Sequence, residues 1–163
     1  MSKDEDKNKA AKLLIPLKAE NVMTTEVAVM NESASVKKAA EVMAQEGVGA
    51  IIVTVEGKAI GIVTERDILT RIVVEDKNAR KTKLEEIMSS PLVTIEPSTD
   101  LEEAARLMFE RKIKNLPVVH KKRLIGLINL QDICLFQPEI LKILRKTTET
   151  PKNIQKVLRY YII

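Results

Sequence analysis

The chain has 163 residues, 45% of them hydrophobic and 31% charged, with a formal net charge of +4; these values are typical of one globular domain and not of a low-complexity chain. No apolar run approaches the roughly 20 residues needed to cross a bilayer, so nothing in the sequence indicates a membrane span. The single cysteine, Cys134, excludes an internal disulfide and a site with several cysteine ligands.

Charged residues of both signs alternate at the start of the chain. Residues 2–9 read Ser-Lys-Asp-Glu-Asp-Lys-Asn-Lys and lack the apolar stretch of a secretory signal peptide. We predict a disordered or weakly ordered leader over residues 1–16 and a cytoplasmic protein. The abundance of Lys and Glu is typical of a thermophilic source.

The sequence then repeats itself at an offset of 65 residues, without insertion or deletion. Met23-Thr24 recurs as Met88-Ser89, and Asp67-Ile68 recurs as Asp132-Ile133. A fixed register of this length indicates two copies of one supersecondary unit, each of which needs a neighbour to bury its apolar face. We therefore predict two repeats, at residues 17–80 and 81–135, that pack against each other.

Within each repeat the hydrophobic pattern predicts the order strand, helix, strand, strand, helix, and hence an α/β fold. In the first repeat the short apolar run Val27–Val29 predicts a strand. A helix is then predicted to begin after Ser35, a typical N-cap, and to end at Gly47. Its apolar face consists of Val36, Ala39, Ala40 and Met43.

The second repeat predicts the same elements 65 residues later. Leu92–Ile95 is the corresponding strand, and Asp100 with Glu103 predicts a capping box at the start of the following helix. The apolar face of that helix consists of Leu101, Ala104, Ala105 and Met108.

A β-hairpin is predicted next in each repeat, followed by a second helix. In the first repeat the hairpin turns at Glu56-Gly57-Lys58, and in the second it turns at Lys121-Lys122, where glycine is absent. The predicted strands are Ala50–Val55 with Ala59–Val63, and Leu116–Val119 with Leu124–Ile128. The second helices are predicted to open at Thr64 and Asn129, with inward-facing Ile68, Leu69, Ile72 and Ile133.

The excess positive charge lies at the end of the chain. Six basic and two acidic side chains follow Ile133, so residues 1–133 are neutral. Apolar residues recur at helical spacing after Pro138, and we predict a basic helical extension over residues 136–163. An extension that binds nucleic acid is one interpretation, and a solvated helix face is the other.

Each second helix follows a strand that carries Gly, two apolar residues, a small polar residue and, three positions later, Asp. The copies are Gly61-Ile62-Val63-Thr64-Glu65-Arg66-Asp67 and Gly126-Leu127-Ile128-Asn129-Leu130-Gln131-Asp132. A carboxylate beside a helix N-terminus can accept both vicinal hydroxyls of a ribose, and a phosphate suits the helix dipole. In the alternative interpretation, Thr64 and Asn129 are N-caps and the aspartates are first-turn acids that stabilise the helices.

With these motifs the chain resembles the CBS domain family, in which two repeats form a tandem pair, the Bateman module. The resemblance covers about residues 17–135 and also rests on Val22-Met23-Thr24, Ile87-Met88-Ser89 and Lys114-Asn115-Leu116-Pro117-Val118. It implies an α/β fold of two β-α-β-β-α repeats related by a pseudo-two-fold axis, and a disc-like homodimer. It also implies two clefts, each combining the Asp motif of one repeat with the first strand of the other, where adenosine nucleotides bind.

The resemblance assigns residues to each cleft. In one cleft the ribose would be contacted by Thr64 and Asp67, the adenine by Ile62, Pro91, Leu92 and Val93, and the phosphate groups by Lys114, Asn115 and Gln131. In the other cleft the ribose would be contacted by Asn129 and Asp132, the adenine by Leu127, Thr25, Val27 and Ala28, and the phosphate groups by Arg66. Asn129 departs from the Thr or Ser that the family prefers, and the Asp67 cleft is the first candidate for ribose recognition, while Arg66 keeps the Asp132 cleft as a second candidate.

The resemblance implies a regulatory protein, such as an energy sensor, that binds AMP, ADP or ATP and passes the change to a dimer or a partner protein. It implies no enzymatic activity, no required cofactor and no metal; S-adenosylmethionine and NAD are alternative ligands. The chain contains two Phe, two Tyr and no Trp, so a base would lie between aliphatic side chains. That composition also argues against single-stranded nucleic-acid binding by aromatic stacking.

The remaining candidates for chemistry favour structural roles. The only histidine, His120, lies near the predicted hairpin turn and is predicted to have a surface or edge role, and Cys134 is predicted to be a small apolar filler. The equivalent methionines at 23, 43, 88 and 108 are predicted to fill the core. Lys121-Lys122-Arg123 is predicted to be a solvated turn, with steering of an anionic ligand as the alternative.

Overall fold

Each repeat folds into a β-hairpin with helices packed beside it, as predicted. A computed structural model of the protein describes residues 16–139, so nearly all of the predicted leader and the predicted extension from residue 140 lie outside the described residues. The helices are α1 (Ala19–Val22), α2 (Val36–Glu46), α3 (Glu65–Ile68), α4 (Leu101–Arg111) and α5 (Leu130–Phe136). The strands are β1 (Val29–Asn31), β2 (Ala50–Val55), β3 (Lys58–Thr64), β4 (Asn115–His120) and β5 (Arg123–Asn129). A π-helical segment, Leu69–Val73, continues α3, and Leu84–Glu86 forms a 3-10 turn.

The first helix of repeat 1 begins and ends where the sequence predicts. The Ser35 Oγ accepts a hydrogen bond from the Lys38 N–H at 3.2 Å, and Gly47 ends the helix with a φ of 67°. A left-handed conformation of this kind is what glycine provides at a helix C-terminus. Val36, Ala39 and Met43 are buried, which confirms those three residues of the predicted apolar face, whereas Ala40 is only partly buried.

The predicted capping box at the first helix of repeat 2 is wrong. Asp100 is the N-cap of α4, but its side chain accepts no hydrogen bond from the helix. Its carboxylate is bound by the Lys18 ammonium at 2.6 Å, which connects the residue before α1 to this helix. The predicted apolar face, Leu101, Ala104, Ala105 and Met108, is buried.

The two hairpins have the same antiparallel register although their turns differ in sequence. Glu56 and Gly57 connect β2 to β3, and Lys121 and Lys122 connect β4 to β5. Each of these turn residues has a positive φ, between 47° and 77°. Two-residue turns of this hand match the twist of the strands, and the second hairpin adopts one without the glycine that makes it easy.

The first predicted strand of each repeat needs a correction. In repeat 1 the strand begins at Val29, two residues later than predicted, because Val27 is held in a turn by a bond from its N–H to the Thr25 carbonyl at 3.1 Å. In repeat 2 the predicted strand Leu92–Ile95 is reduced to one bridge between Ile95 and Val118.

Two prolines account for the missing strand in repeat 2. The parallel pairing of β1 with β2 begins with a bond donated by the Ile52 N–H at 2.9 Å and ends with one donated by the Glu32 N–H at 3.1 Å. The equivalent residues in repeat 2 are Pro117 and Pro97, which have no N–H to donate. Only the bonds around Ile95 remain.

The second helix of repeat 1 faces inward through Ile68 and Ile72, as predicted, but not through Leu69. Ile72 is buried and Ile68 is packed against the same core. Leu69 is 56% exposed, which contradicts the prediction. Residues four apart share a helix face, whereas the next residue lies about 100° around the axis.

The segment that opens each repeat packs against the other repeat. Ala19 and Val22 of α1 are buried in the core formed by repeat 2, and Thr24 exchanges two 2.9 Å backbone bonds with Leu127. Reciprocally, Leu84 and Ile87 are buried in the core of repeat 1. Ser89 pairs with Ile62 through bonds of 2.9 and 3.1 Å. The boundary of the sequence repeat therefore differs from the boundary of the packed core.

Candidate functional site

A cavity of about 770 Å³ lies between the two repeats. Repeat 1 contributes the β3–α3 junction to its walls. Repeat 2 contributes the segment after Ser89, the start of β4 and the start of α5. The structure brings together around it every residue that the resemblance assigns to the Asp67 cleft, namely Ile62, Thr64, Asp67, Pro91, Leu92, Val93, Lys114, Asn115 and Gln131.

The residues assigned to the other cleft are distributed differently. Arg66 and Asn129 line the same cavity as Asp67. Leu127 pairs with Thr24, which places Thr25 near that strand. The other members of this set do not line the Asp67 cavity; they are Thr25, Val27, Ala28, Leu127 and Asp132.

Thr64 and Asp67 form a reciprocal cap at the start of α3. The Asp67 Oδ2 accepts from the Thr64 N–H at 2.8 Å and from the Thr64 hydroxyl at 2.7 Å, and the Thr64 Oγ1 accepts from the Asp67 N–H at 3.3 Å. The N-cap interpretation is thus confirmed for Thr64. Because one carboxylate carries about four acceptor positions, this cap leaves Asp67 the capacity to accept a ligand hydroxyl.

Arg71, which the sequence analysis did not single out, faces the other oxygen of that carboxylate. Its guanidinium Nη2 lies 3.5 Å from the Asp67 Oδ1. Its Nη1 donates to the carbonyls of Ile87 and, at 3.3 Å, Met88. The spacing of four residues on a helix was the sequence signal that could have identified this pair.

The cavity lining combines an excess of positive charge with apolar walls. Arg66, Arg71, Lys112 and Lys114 are its basic residues, and Glu65 and Asp67 are its acidic residues. Ile62, Leu92, Val93 and Ile113 contribute aliphatic surface, and no lining residue is aromatic. Such a lining suits an anionic ligand with an apolar, planar part held between aliphatic side chains.

Lys112 is a second lining residue that the sequence analysis missed. It ends α4 with a φ of 54°, at the position where repeat 1 has Gly47. A left-handed conformation costs a side-chain-bearing residue roughly 1 kcal/mol, so the glycine of repeat 1 is the less strained choice. The alignment of Lys112 with a glycine was the signal available in the sequence.

The cap at Asp132 resembles the cap at Asp67 but lacks the arginine. The Asn129 Oδ1 accepts from the Asp132 N–H at 2.9 Å, and the Asp132 Oδ2 accepts from the Asn129 N–H at 3.3 Å. Phe136 stands at the position that corresponds to Arg71, and it is 53% exposed. The two Asp motifs therefore differ in charge and in support.

The other candidate residues lie away from the cavity lining. Burial raises the pKa of the Cys134 thiol, which packs against the core of repeat 2 as a small apolar side chain. Met43 and Met108 are buried, and Met23 and Met88 pack against the same cores, which confirms the predicted core role. His120 ends β4 with a half-exposed side chain.

Across residues 16–139, no cluster of His, Cys, Asp and Glu is arranged to hold a metal ion, and none of the helices there has the length and apolarity to span a bilayer.

Comparison with known proteins identifies the family. The family model described as CBS domain matches residues 19–74 and again residues 84–139. The CBS domain-containing protein YhcV of Bacillus subtilis is 36% identical over 117 residues, which are 72% of this chain and 83% of that protein. The chain belongs to the CBS domain family. It spans about half the length of some other relatives that it matches.

Solved structures show the same CBS pair. A hexameric CBS-CP12 protein from bloom-forming cyanobacteria is 30% identical, with a TM-score of 0.70 over 77% of this chain and 73% of that one. The CBS domain protein PAE2072 from Pyrobaculum aerophilum, solved in complex with AMP, has a TM-score of 0.71 over 79% of this chain and 99% of that one. At 22% identity the latter likeness shows the fold alone.

Proposed function

We propose that this CBS pair is a regulatory, non-catalytic module that binds an adenosine nucleotide in the cavity between its repeats. The observation that carries the proposal is the convergence of two carboxylates, four cations and aliphatic walls on a cavity of about 770 Å³. A space of this size falls within the roughly 300–1,000 Å³ range of small-molecule sites. The Asp67 carboxylate, 14% exposed, would accept the ribose hydroxyls.

The charge of the lining supports a nucleotide over the alternative ligands. Its four basic and two acidic lining residues give a formal net charge of +2, and this excess favours phosphate groups over the cationic sulfonium of S-adenosylmethionine. The complex of PAE2072, which has the same fold, with AMP supports a nucleotide as the ligand. The basic extension beyond residue 139 lies outside the described residues, and its binding to nucleic acid stays a hypothesis.

A nucleotide would regulate only by binding one arrangement of the two repeats more tightly than another. The segment that opens each repeat packs against the other repeat, and this exchange gives a physical route by which binding can change the arrangement of the repeats. Ser89 pairs with β3 of repeat 1, and the residues after it line the cavity. A ligand that contacts both Asp67 and Val93 bridges the repeats. We expect the resulting change to reach a second copy of the chain or another protein.

A melting screen tests this function directly. Ligand at 100 times its dissociation constant stabilises a protein by about 2.7 kcal/mol, which corresponds to a rise of several degrees at roughly 2–4 °C per kcal/mol. We expect that rise with AMP, ADP or ATP, a smaller one with NAD or adenosine, and none with S-adenosylmethionine. An unchanged melting temperature with all the adenosine compounds would refute the proposal.

Lys112 offers a prediction in which stability and affinity change in opposite directions. Lys112→Gly removes the left-handed strain and is expected to stabilise the unliganded protein by up to about 1 kcal/mol. It also removes a cavity cation, so affinity for ATP should fall several-fold. Differential scanning calorimetry and isothermal titration measure the two effects.

Lys112→Asn is the matched control for that pair of effects. Asparagine tolerates a positive φ and carries no charge, so it should lose affinity as the glycine variant does, with a smaller gain in stability. If either variant keeps wild-type affinity for ATP, Lys112 has no part in binding the phosphates.

A further inference from the structure

We propose that Arg71 is a positioning residue that sets the ribose selectivity of the cavity. It would do so by fixing the Asp67 carboxylate and by holding the Ile87–Val93 segment at a set distance from it. This inference rests on the proposed nucleotide function and names a determinant of specificity within that site.

The first line of support is the state of the Asp67 carboxylate. Its Oδ2 accepts two hydrogen bonds from Thr64, at 2.7 and 2.8 Å, which fix one oxygen against the helix cap. Its Oδ1 lies 3.5 Å from the Arg71 Nη2. Because one oxygen is held by Thr64 and the other has a cation beside it, rotation of the carboxylate is opposed at both oxygens. The remaining acceptor positions therefore keep a fixed direction.

The second line of support is the rest of the guanidinium. The Arg71 Nη1 donates to the carbonyls of Ile87 and Met88, and the next residue, Ser89, pairs with Ile62 of β3. Pro91, Leu92 and Val93 continue from there into the cavity wall. One side chain therefore contacts both the proposed ribose acceptor and the backbone that leads to the proposed base-binding wall.

The third line of support is the helix that carries Arg71. Leu69–Val73 is π-helical, and the Val74 N–H bonds to the Leu69 carbonyl at 3.0 Å. Single π-helical turns are rare, and those that occur within helices are frequently found at functional sites. In repeat 2 the second helix is an α-helix that ends at Phe136, the position equivalent to Arg71, without a π-helical segment. The wider turn and the arginine thus occur together at one Asp motif and not at the other.

This arrangement suits discrimination between ribose and 2′-deoxyribose. Two vicinal hydroxyls require a carboxylate held in one orientation, whereas a single hydroxyl can be met by a carboxylate that turns. A planar guanidinium can contact a carboxylate and two carbonyls at once, but an ammonium acts as a point charge. Loss of Arg71 should therefore reduce the preference for ribose more than it reduces binding as a whole.

The experiment compares AMP and ATP with their 2′-deoxy forms by isothermal titration, using the full chain. We expect the wild type to prefer each ribonucleotide by about 10-fold or more, the size expected for a hydrogen bond to a charged group. Arg71→Gln should bring that ratio to within a few-fold, and Arg71→Lys should give an intermediate ratio. Arg106→Gln is the matched control, because Arg106 forms an i,i+4 pair with Glu102 at 3.3 Å and does not line the cavity.

The outcomes separate this inference from the function on which it rests. Binding of neither ribonucleotide by the wild type would overturn the proposed function, and this inference with it. If the wild type binds but Arg71→Gln keeps the full ribose preference, or weakens both sugar forms equally, only the positioning role is overturned. Full preference in Arg71→Lys would show that the charge suffices and would refute the fixed geometry.

Discussion

Asp67→Asn is expected to lower the affinity of the cavity for AMP or ATP by about 100-fold. The neutral amide has one acceptor oxygen in place of two charged ones, so it can no longer accept both ribose hydroxyls. Hydrogen bonds to a charged group contribute about 1.5–3 kcal/mol each, and 1.4 kcal/mol corresponds to a tenfold change in affinity. Isothermal titration with the wild type and the variant gives the ratio.

Asp132→Asn is the control that the repeat itself supplies. Both aspartates cap a helix through the residue three positions earlier, so both variants should lose stability, on the order of 1 kcal/mol. The loss should be larger for Asp67, because its carboxylate also accepts from the Thr64 hydroxyl and pairs with Arg71. Only Asp67 lines the cavity. Equal losses of nucleotide affinity in the two variants would show that the effect comes from weakened helix caps and not from a lost contact with the ribose.

The sequence predicted the elements whose causes are local. Ser35 and Gly47 bound the first helix because a hydroxyl and a left-handed glycine satisfy the helix ends within a few residues. Thr64 and Asn129 begin the second helices for the same reason. The repeat then doubled the evidence for each element, so the architecture followed from pattern and spacing.

Two of the errors arose where the outcome depended on a distant partner. The apolar run at Leu92–Ile95 reads as a strand until Pro117 is placed opposite it, where it cannot donate the bond that Ile52 donates in repeat 1. Asp100 reads as a capping residue until Lys18 is seen to bind it. Both partners are remote in sequence, and no local pattern identifies them.

The composition of the cavity could be predicted only through the family resemblance. The cavity residues come from both repeats, and the spacing of Ile62 and Val93 gives no sign that they meet. The family pattern placed them together, but it contained no information on Arg71 and Lys112. These two depend on a π-helical segment and on a non-glycine helix end, features in which this chain departs from its own repeat.

Gly126→Ala is expected to destabilise the fold by about 2–3 kcal/mol, because Gly126 lies where the segment that opens repeat 1 packs against repeat 2. A Cβ on Gly126 would lie 2.5 Å from the Met23 Sδ and 3.0 Å from the Thr24 carbonyl oxygen. The sulfur can move, but the carbonyl is held by its 2.9 Å bond from the Leu127 N–H. Thermal unfolding should show a fall of roughly 5–10 °C, at about 2–4 °C per kcal/mol. Gly49→Ala is the control, because the nearest atom to its Cβ is the end of the exposed Glu65 side chain, at 3.3 Å.

A double-mutant cycle then shows whether the exchange holds the repeats together. Met23 belongs to the first repeat and Gly126 to the second, and they meet only because residues 17–24 pack with repeat 2. Met23→Ala alone should cost about 2 kcal/mol or more of stability, yet it removes the sulfur that clashes with the new Cβ. The loss of stability in the double variant should therefore be smaller than the sum of the two single losses, by at least about 0.5–1 kcal/mol. Strictly additive losses would mean that the two residues do not touch in solution, and the opening segments would then have to pack within their own repeats.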